Sequence, residues 1–139
     1  MLRLVLDTNV LVSAVLTGGK PRQLLRAAID RKVRLVVSGL LLDEFRTTIS
    51  RPKFRMGASE VGRVVRLLAE TAEVVPVHSS YHVVSEDPDD DVVLNTAVDG
   101  RADYVVSGDD HLLSLRQFMT VAIVTPSAML VILTRELQR

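Results

Sequence analysis

Apolar residues along this chain follow two alternating patterns. Short, strongly apolar runs read as five strands: Leu2 to Leu6, "VRLVVS" at 33–38, "EVVPV" at 73–77, "DYVVS" at 103–107 and "VAIVT" at 121–125. Pro76 in the third run suits an edge or a strand end. Between these runs, apolar residues recur at helical spacing, as at Val61, Val64, Val65 and Leu68. Val10 to Leu16 is a short helix or turn, closed by Gly18-Gly19. Pro21, whose missing N–H costs nothing in a first turn, opens a helix to about Lys32. Ser38 can cap a helix from Gly39 to about Ser50, beyond which Pro52 disfavours continuation. Ala58 to Thr71 is the next helix. The turn "SEDPDDD" feeds a helix to Val98, "GDDHLLSL" makes a turn and short helix, and Pro126 opens the last one.

Strands and helices that alternate in this way imply an α/β fold with a parallel sheet of about five strands covered on both faces. Residues 1–139 are expected to form one domain, since no repeat, low-complexity segment or linker interrupts the pattern. In such a sheet the functional crevice lies beyond the carboxyl ends of the strands. Polar residues gather there: Asp7 directly follows the first strand, and Ser107, Gly108, Asp109 and Asp110 follow the fourth.

Helix geometry, at about 100° per residue, places two further acids. In the helix after Ser38, Leu41, Leu42, Phe45 and Ile49 define the buried side. Glu44 lies at the edge of that side and Asp43 points away. In the helix after Asp89, the buried side is Val93, Leu94, Ala97 and Val98. Asp90 lies in line with it and Asp91 sits at its edge. Each of these acids has a simpler role open to it. Asp7, Asp90 and Asp109 can cap helices, and Glu44 can sit at the surface.

Composition narrows the chemistry. With no cysteine, disulfides and thiolate metal sites are excluded. The 47% hydrophobic content supports a packed core, and with only 4% aromatics that packing must be aliphatic. No apolar stretch approaches the roughly 20 residues of a membrane span, so a soluble cytoplasmic protein is expected. Net charge is zero, but it is unevenly spread. Lys20 to Arg66 carries twelve basic and four acidic residues; Leu67 to Arg139 carries four basic and twelve acidic. That division suits either a polyanion-facing surface beside an acidic centre or ordinary solvated helix faces. Carboxylates brought together repel one another, so a fold that gathers Asp7, Glu44, Asp90 and Asp109 calls for a cation. Hard oxygen ligands point to Mg²⁺ or Mn²⁺, ions that suit phosphodiester hydrolysis because they activate water and stabilise charge on the phosphate.

The stretches "VLDTNVLVSA", "LLLDEF", "DPDDDVVLNTA" and "ADYVVSGDDHLL" resemble the successive motifs of PIN-domain nucleases, in order and across essentially the whole chain. They most resemble the bacterial and archaeal branch described as toxin components of toxin–antitoxin systems, which includes the VapC-like toxins. The resemblance implies a three-layer α/β/α sandwich and Mg²⁺- or Mn²⁺-dependent cleavage of RNA. It places the family's first acid on Asp7 and its helix glutamate on Glu44. The D-x-x-x-x-x-x-A register places the third on Asp90, with Asp91 the neighbouring alternative. The fourth falls on Asp109, two residues after Ser107, with Asp110 the alternative. Asn9 is expected to hold the loop rather than bind metal. Arg46, Arg51, Lys53 and Arg55 are expected to line the approach of the RNA backbone. No histidine is assigned to catalysis: His78 and His82 flank a turn, and His111, which follows the acidic pair and could approach substrate, is read in preference as a helix-surface residue. The resemblance also implies a cognate antitoxin and a homodimer.

Three other folds or roles share part of this pattern. A haloacid-dehalogenase-like phosphatase would place a second Asp where Asn9 stands. A receiver domain would need a Lys that "AIVTP" does not supply. A non-catalytic PIN-like module that binds RNA or protein remains the alternative of a different class.

Overall fold

Strands and helices alternate through most of the chain in the computed structural model, which describes residues 1–83 and 88–138. The strands are β1 (Arg3–Leu6), β2 (Arg34–Val37), β3 (Glu73–Val74), β4 (Tyr104–Val106), β5 (Gln117–Phe118) and β6 (Val121–Val124). The helices are α1 (Thr8–Leu16), α2 (Gly19–Ile29), α3 (Gly39–Ile49), α4 (Ala58–Thr71), α5 (Pro88–Asp99), α6 (Asp110–Leu115) and α7 (Pro126–Leu137), with a 3-10 turn at Pro52–Phe54. The first three residues of the expected turn "SEDPDDD", 85–87, lie outside the described residues, and its last four form the first turn of α5.

The strands form one sheet in the order β3-β2-β1-β4-β6-β5. All pairings are parallel except that of β5 with β6. Successive side chains of a strand point to opposite faces. Leu4, Val5 and Leu6 are nevertheless all buried, as are Leu35, Val36 and Val37. Both faces of the sheet are therefore covered, as an α/β/α sandwich requires. The core is almost wholly aliphatic; Phe45 is its one fully buried aromatic among the described residues. Helix α4 shows how the pattern becomes packing: Val61, Val65 and Leu68 are buried at helical spacing, while Arg63 and Arg66 are exposed. Among the described residues no helix is long and apolar enough to cross a membrane.

The sheet has six strands, not the five read from the sequence. The extra one, β5, forms a two-residue antiparallel hairpin with β6. Its turn at Met119-Thr120 uses Met119 at φ 55°, so the glycine or asparagine that usually flags such a turn is missing. Helix α1 begins at Thr8 rather than Val10 because Asp7 caps it, and α2 begins at Gly19, two residues before Pro21. Gly100, between α5 and β4, is needed for close approach. A Cβ there would stand 2.5 Å from Val36 Cγ1 and 2.9 Å from the Thr96 carbonyl oxygen.

Candidate active site

The carboxyl edge of the sheet is built from helix caps. Asp7 Oδ1 accepts from the Val10 amide at 2.9 Å and starts α1. Ser38 Oγ accepts from Leu41 at 3.2 Å and starts α3. Asp109 Oδ1 accepts from His111 at 2.8 Å and starts α6, and Thr125 caps α7 through Ala128. Each cap satisfies an amide that the helix itself leaves open. Because of that arrangement, several helix N-termini, the positive ends of their dipoles, meet the strand ends.

Strand register brings the first and fourth acids together. Leu6 of β1 pairs with Val106 of β4, so Asp7 falls beside Ser107. The Ser107 hydroxyl donates to Asp7 Oδ2 and accepts from the Asp109 amide at 2.9 Å. One buried hydroxyl thereby holds two acids in place. Burial pushes the Asp7 carboxyl above its ordinary range. The Ser107 hydroxyl and Val10 amide pull it back, and the Asp109 charge adds to the rise.

Helix phase brings the other two. Ser38 sets the start of α3, whose Leu41, Phe45 and Ile49 are buried and whose Asp43 is exposed. Glu44 is half-buried and turns toward Asp7; one turn on, Thr48 follows it. On α5, adjacent carboxylates divide. Asp91 accepts from the Val83 amide at 2.8 Å, Asn95 exchanges two hydrogen bonds with the Tyr81 backbone, and Asp99 accepts from the Ser79 amide at 2.8 Å. These three residues, four apart, grip an extended segment on one side of the helix. Asp90 lies about 100° around from Asp91 and faces the strand ends instead.

The outcome is a cleft of about 170 Å³ lined by Asp7, Glu44, Asp90 and Asp109, the four acids singled out from the sequence. Thr8, Asn9, Thr48, Arg51, Asp89 and Val93 complete its walls. A larger groove of about 500 Å³, bordered by Ile29, Arg34 and Leu67, lies toward the amino ends of β1 and β2 and holds none of these acids. Asp91 and the exposed Asp110 do not line the cleft. Of the four basic residues expected near the substrate, Arg51 borders it. Arg46, Lys53 and Arg55 are exposed and stand outside its walls, Lys53 with its ammonium 5.1 Å from the centre of the Phe54 ring.

Three wall residues are not singled out as site residues by the sequence pattern: Thr8, Thr48 and Asp89. Thr48 was legible, since it lies four residues after Glu44 on the same helix face. His111 is exposed, as expected of a helix-surface residue, yet one of its ring nitrogens and one carboxylate oxygen each from Asp90 and Asp109 all lie within 4.8 Å of one another. The donor set fits a divalent cation: carboxylate oxygens predominate and Arg51 is the sole basic side chain among the described residues of the walls.

A family model described as PIN domain matches residues 3–111. No curated protein matches the chain.

Proposed function

The chain belongs to the PIN-domain family, and from that premise we propose that it is an endoribonuclease that hydrolyses RNA phosphodiester bonds with Mg²⁺ or Mn²⁺. PIN domains are in general metal-dependent nucleases. The observation that carries the proposal is the convergence of Asp7, Glu44, Asp90 and Asp109 on one polar cleft. These four would hold the cation. When bound, it would supply activation of a water and stabilisation of charge on the phosphate and the leaving oxygen.

The chain's own groups do the rest. Ser107 fixes the Asp7 carboxylate and the Asp109 backbone, so neither must reorganise when substrate arrives. Arg51, at the wall, is placed to meet a phosphate oxygen, and a guanidinium can do so with two parallel hydrogen bonds. Arg46, Lys53 and Arg55 extend that positive charge outward along the same stretch of chain and serve the flanking backbone. Asn9, expected to hold a loop, is instead the second residue of α1, exposed at the border of the cleft.

In the same reading the protein acts in the cytoplasm as the toxin of a toxin–antitoxin pair, with a cognate antitoxin and a second copy of itself as partners. The motif resemblance supports that part, and co-purification from the native host tests it. The activity is tested by cleavage of single-stranded RNA with Mg²⁺ or Mn²⁺, using Asp7→Asn and Asp90→Asn. Cleavage by the native chain, lost in both variants, is expected. No cleavage by the native chain would favour a non-catalytic module that binds RNA or protein. Undiminished cleavage by either variant would remove that residue from the site.

A further inference from the structure

His111 is the second residue of α6, and the cap that starts this helix is Asp109 itself. The Asp109 carboxylate accepts from the His111 amide, which fixes the histidine backbone beside it. Side chains on a helix lean toward its N-terminus. The imidazole is therefore carried back over the cap, toward the strand ends and Asp90. Nδ1 stands 3.9 Å from Asp109 Oδ1, beyond hydrogen-bond reach. Donors around one ion at about 2.1 Å are separated by at most about 4.2 Å, so the 4.8 Å spread of the three groups needs only small side-chain rotations to close. A second feature marks the place as unfinished. The Thr8 hydroxyl is buried in the wall of the same cleft and has no hydrogen-bond partner among the described residues.

We propose that His111 joins Asp90 and Asp109 as a nitrogen ligand, making one metal position of the cleft a mixed nitrogen–oxygen site that favours Mn²⁺ over Mg²⁺. The proposal rests on the reading of the cleft as a divalent-ion site. Mg²⁺ is bound through oxygen and gives up its waters reluctantly, so an imidazole adds little to its affinity. Transition ions accept imidazole, and among them Mn²⁺ best suits a set still dominated by carboxylates. The exposure of His111 keeps the ring mobile enough to close on an ion without disturbing the core.

The test uses the full chain stripped of metal with a chelator. Mn²⁺ is titrated in and followed by the electron paramagnetic resonance of the free ion. Mg²⁺ affinity is read from competition. Electron spin-echo modulation reports whether a ¹⁴N nucleus is bound to the manganese. In the native chain we expect ¹⁴N modulation. In His111→Ala that signal should vanish and Mn²⁺ affinity fall about tenfold, with Mg²⁺ affinity held within about twofold. Bound Mn²⁺ with no nitrogen coupling in the native chain would overturn the proposal, as would equal weakening of both ions. Asp90→Asn separates the two levels. If the native chain binds no Mn²⁺, or Asp90→Asn binds it undiminished, the metal reading of the cleft fails and takes the histidine with it. If Asp90→Asn loses Mn²⁺ while His111→Ala keeps it, only the histidine ligand falls.

Discussion

The two ends of the sheet treat charge in opposite ways. At the amino end, Arg3 bonds Glu73 with both terminal nitrogens and the Gly100 carbonyl with two. Its own amide meets Asp103. Nearby, Asp99 accepts from two backbone amides and the Ser79 hydroxyl. Glu73 is held below its ordinary range by Arg3, and Asp99 by Ser79. At the carboxyl end, five acids line one cleft, Arg51 is the one basic side chain among the described residues of its walls, and Asp7 is pushed upward. The amino end has charges matched to stabilise the fold. The carboxyl end has charges gathered at a cost to the fold, the usual mark of a site that serves a ligand.

The largest effect should come from adjacent residues. Asp90→Asn should lower RNA cleavage by about 100-fold or more, a typical loss when a group that stabilises the transition state is removed. Asp91→Asn, one residue on, should leave cleavage within about threefold while lowering the melting temperature, because it weakens the bond to Val83. If the two variants exchange these phenotypes, the division of α5 into a cleft side and a gripping side is wrong.

Metal should reverse the sign of the Asp7 contribution. The folded state raises the Asp7 pKa above 3.8, so its share of stability is full below that value and lost as pH rises through the folded pKa. At neutral pH with chelator, Asp7→Asn should therefore melt no lower than the native chain. Mg²⁺ or Mn²⁺ at about 100 times its Kd should stabilise the native chain by about 2.7 kcal/mol and the variant far less. Equal melting of the native chain with and without metal would sink this contrast.

At the amino end, stability alone should respond. Gly100→Ala drives a methyl into Val36 and the Thr96 carbonyl and should cost about 2 kcal/mol in urea denaturation, with cleavage per folded molecule unchanged. Arg3→Ala should cost about 1 kcal/mol, since its partners are partly solvated. Glu73 contributes its share above the ordinary value of 4.5 and loses it as pH falls through its lowered folded pKa. The gap between native and Arg3→Ala proteins should accordingly narrow in acid, and a gap independent of pH would show that Arg3 acts through Gly100 alone.

Much of this is legible in the sequence. Apolar runs and caps are local signals, so β1, β2, β4, β6 and the span of α4 could be read directly, and Ser38 was recognised as a cap. Adjacent residues on a helix point about 100° apart, so the preference for Asp90 over Asp91 in the cleft was available from the phase of α5. One choice posed by the residues was false. Asp7 and Asp109 can each be read as a cap or as a cleft acid, and each both caps a helix and lines the cleft. A carboxylate has two oxygens and several lone pairs, and Asp7 spends one oxygen on Val10 while still lining the cleft.

The sequence by itself determined the α/β alternation, the strand ends where polar residues collect, and the four acids, because each depends on neighbours a few positions away. Tertiary structure decided which residues share the cleft. Asp7 meets Ser107 through the register of β1 against β4, one hundred residues apart. His111, near the start of α6, comes within 4.8 Å of Asp90, in the first turn of α5, only through the packing of the fold. Such meetings are set by sheet order and helix packing, and these depend on the burial of the whole core rather than on any local stretch of chain.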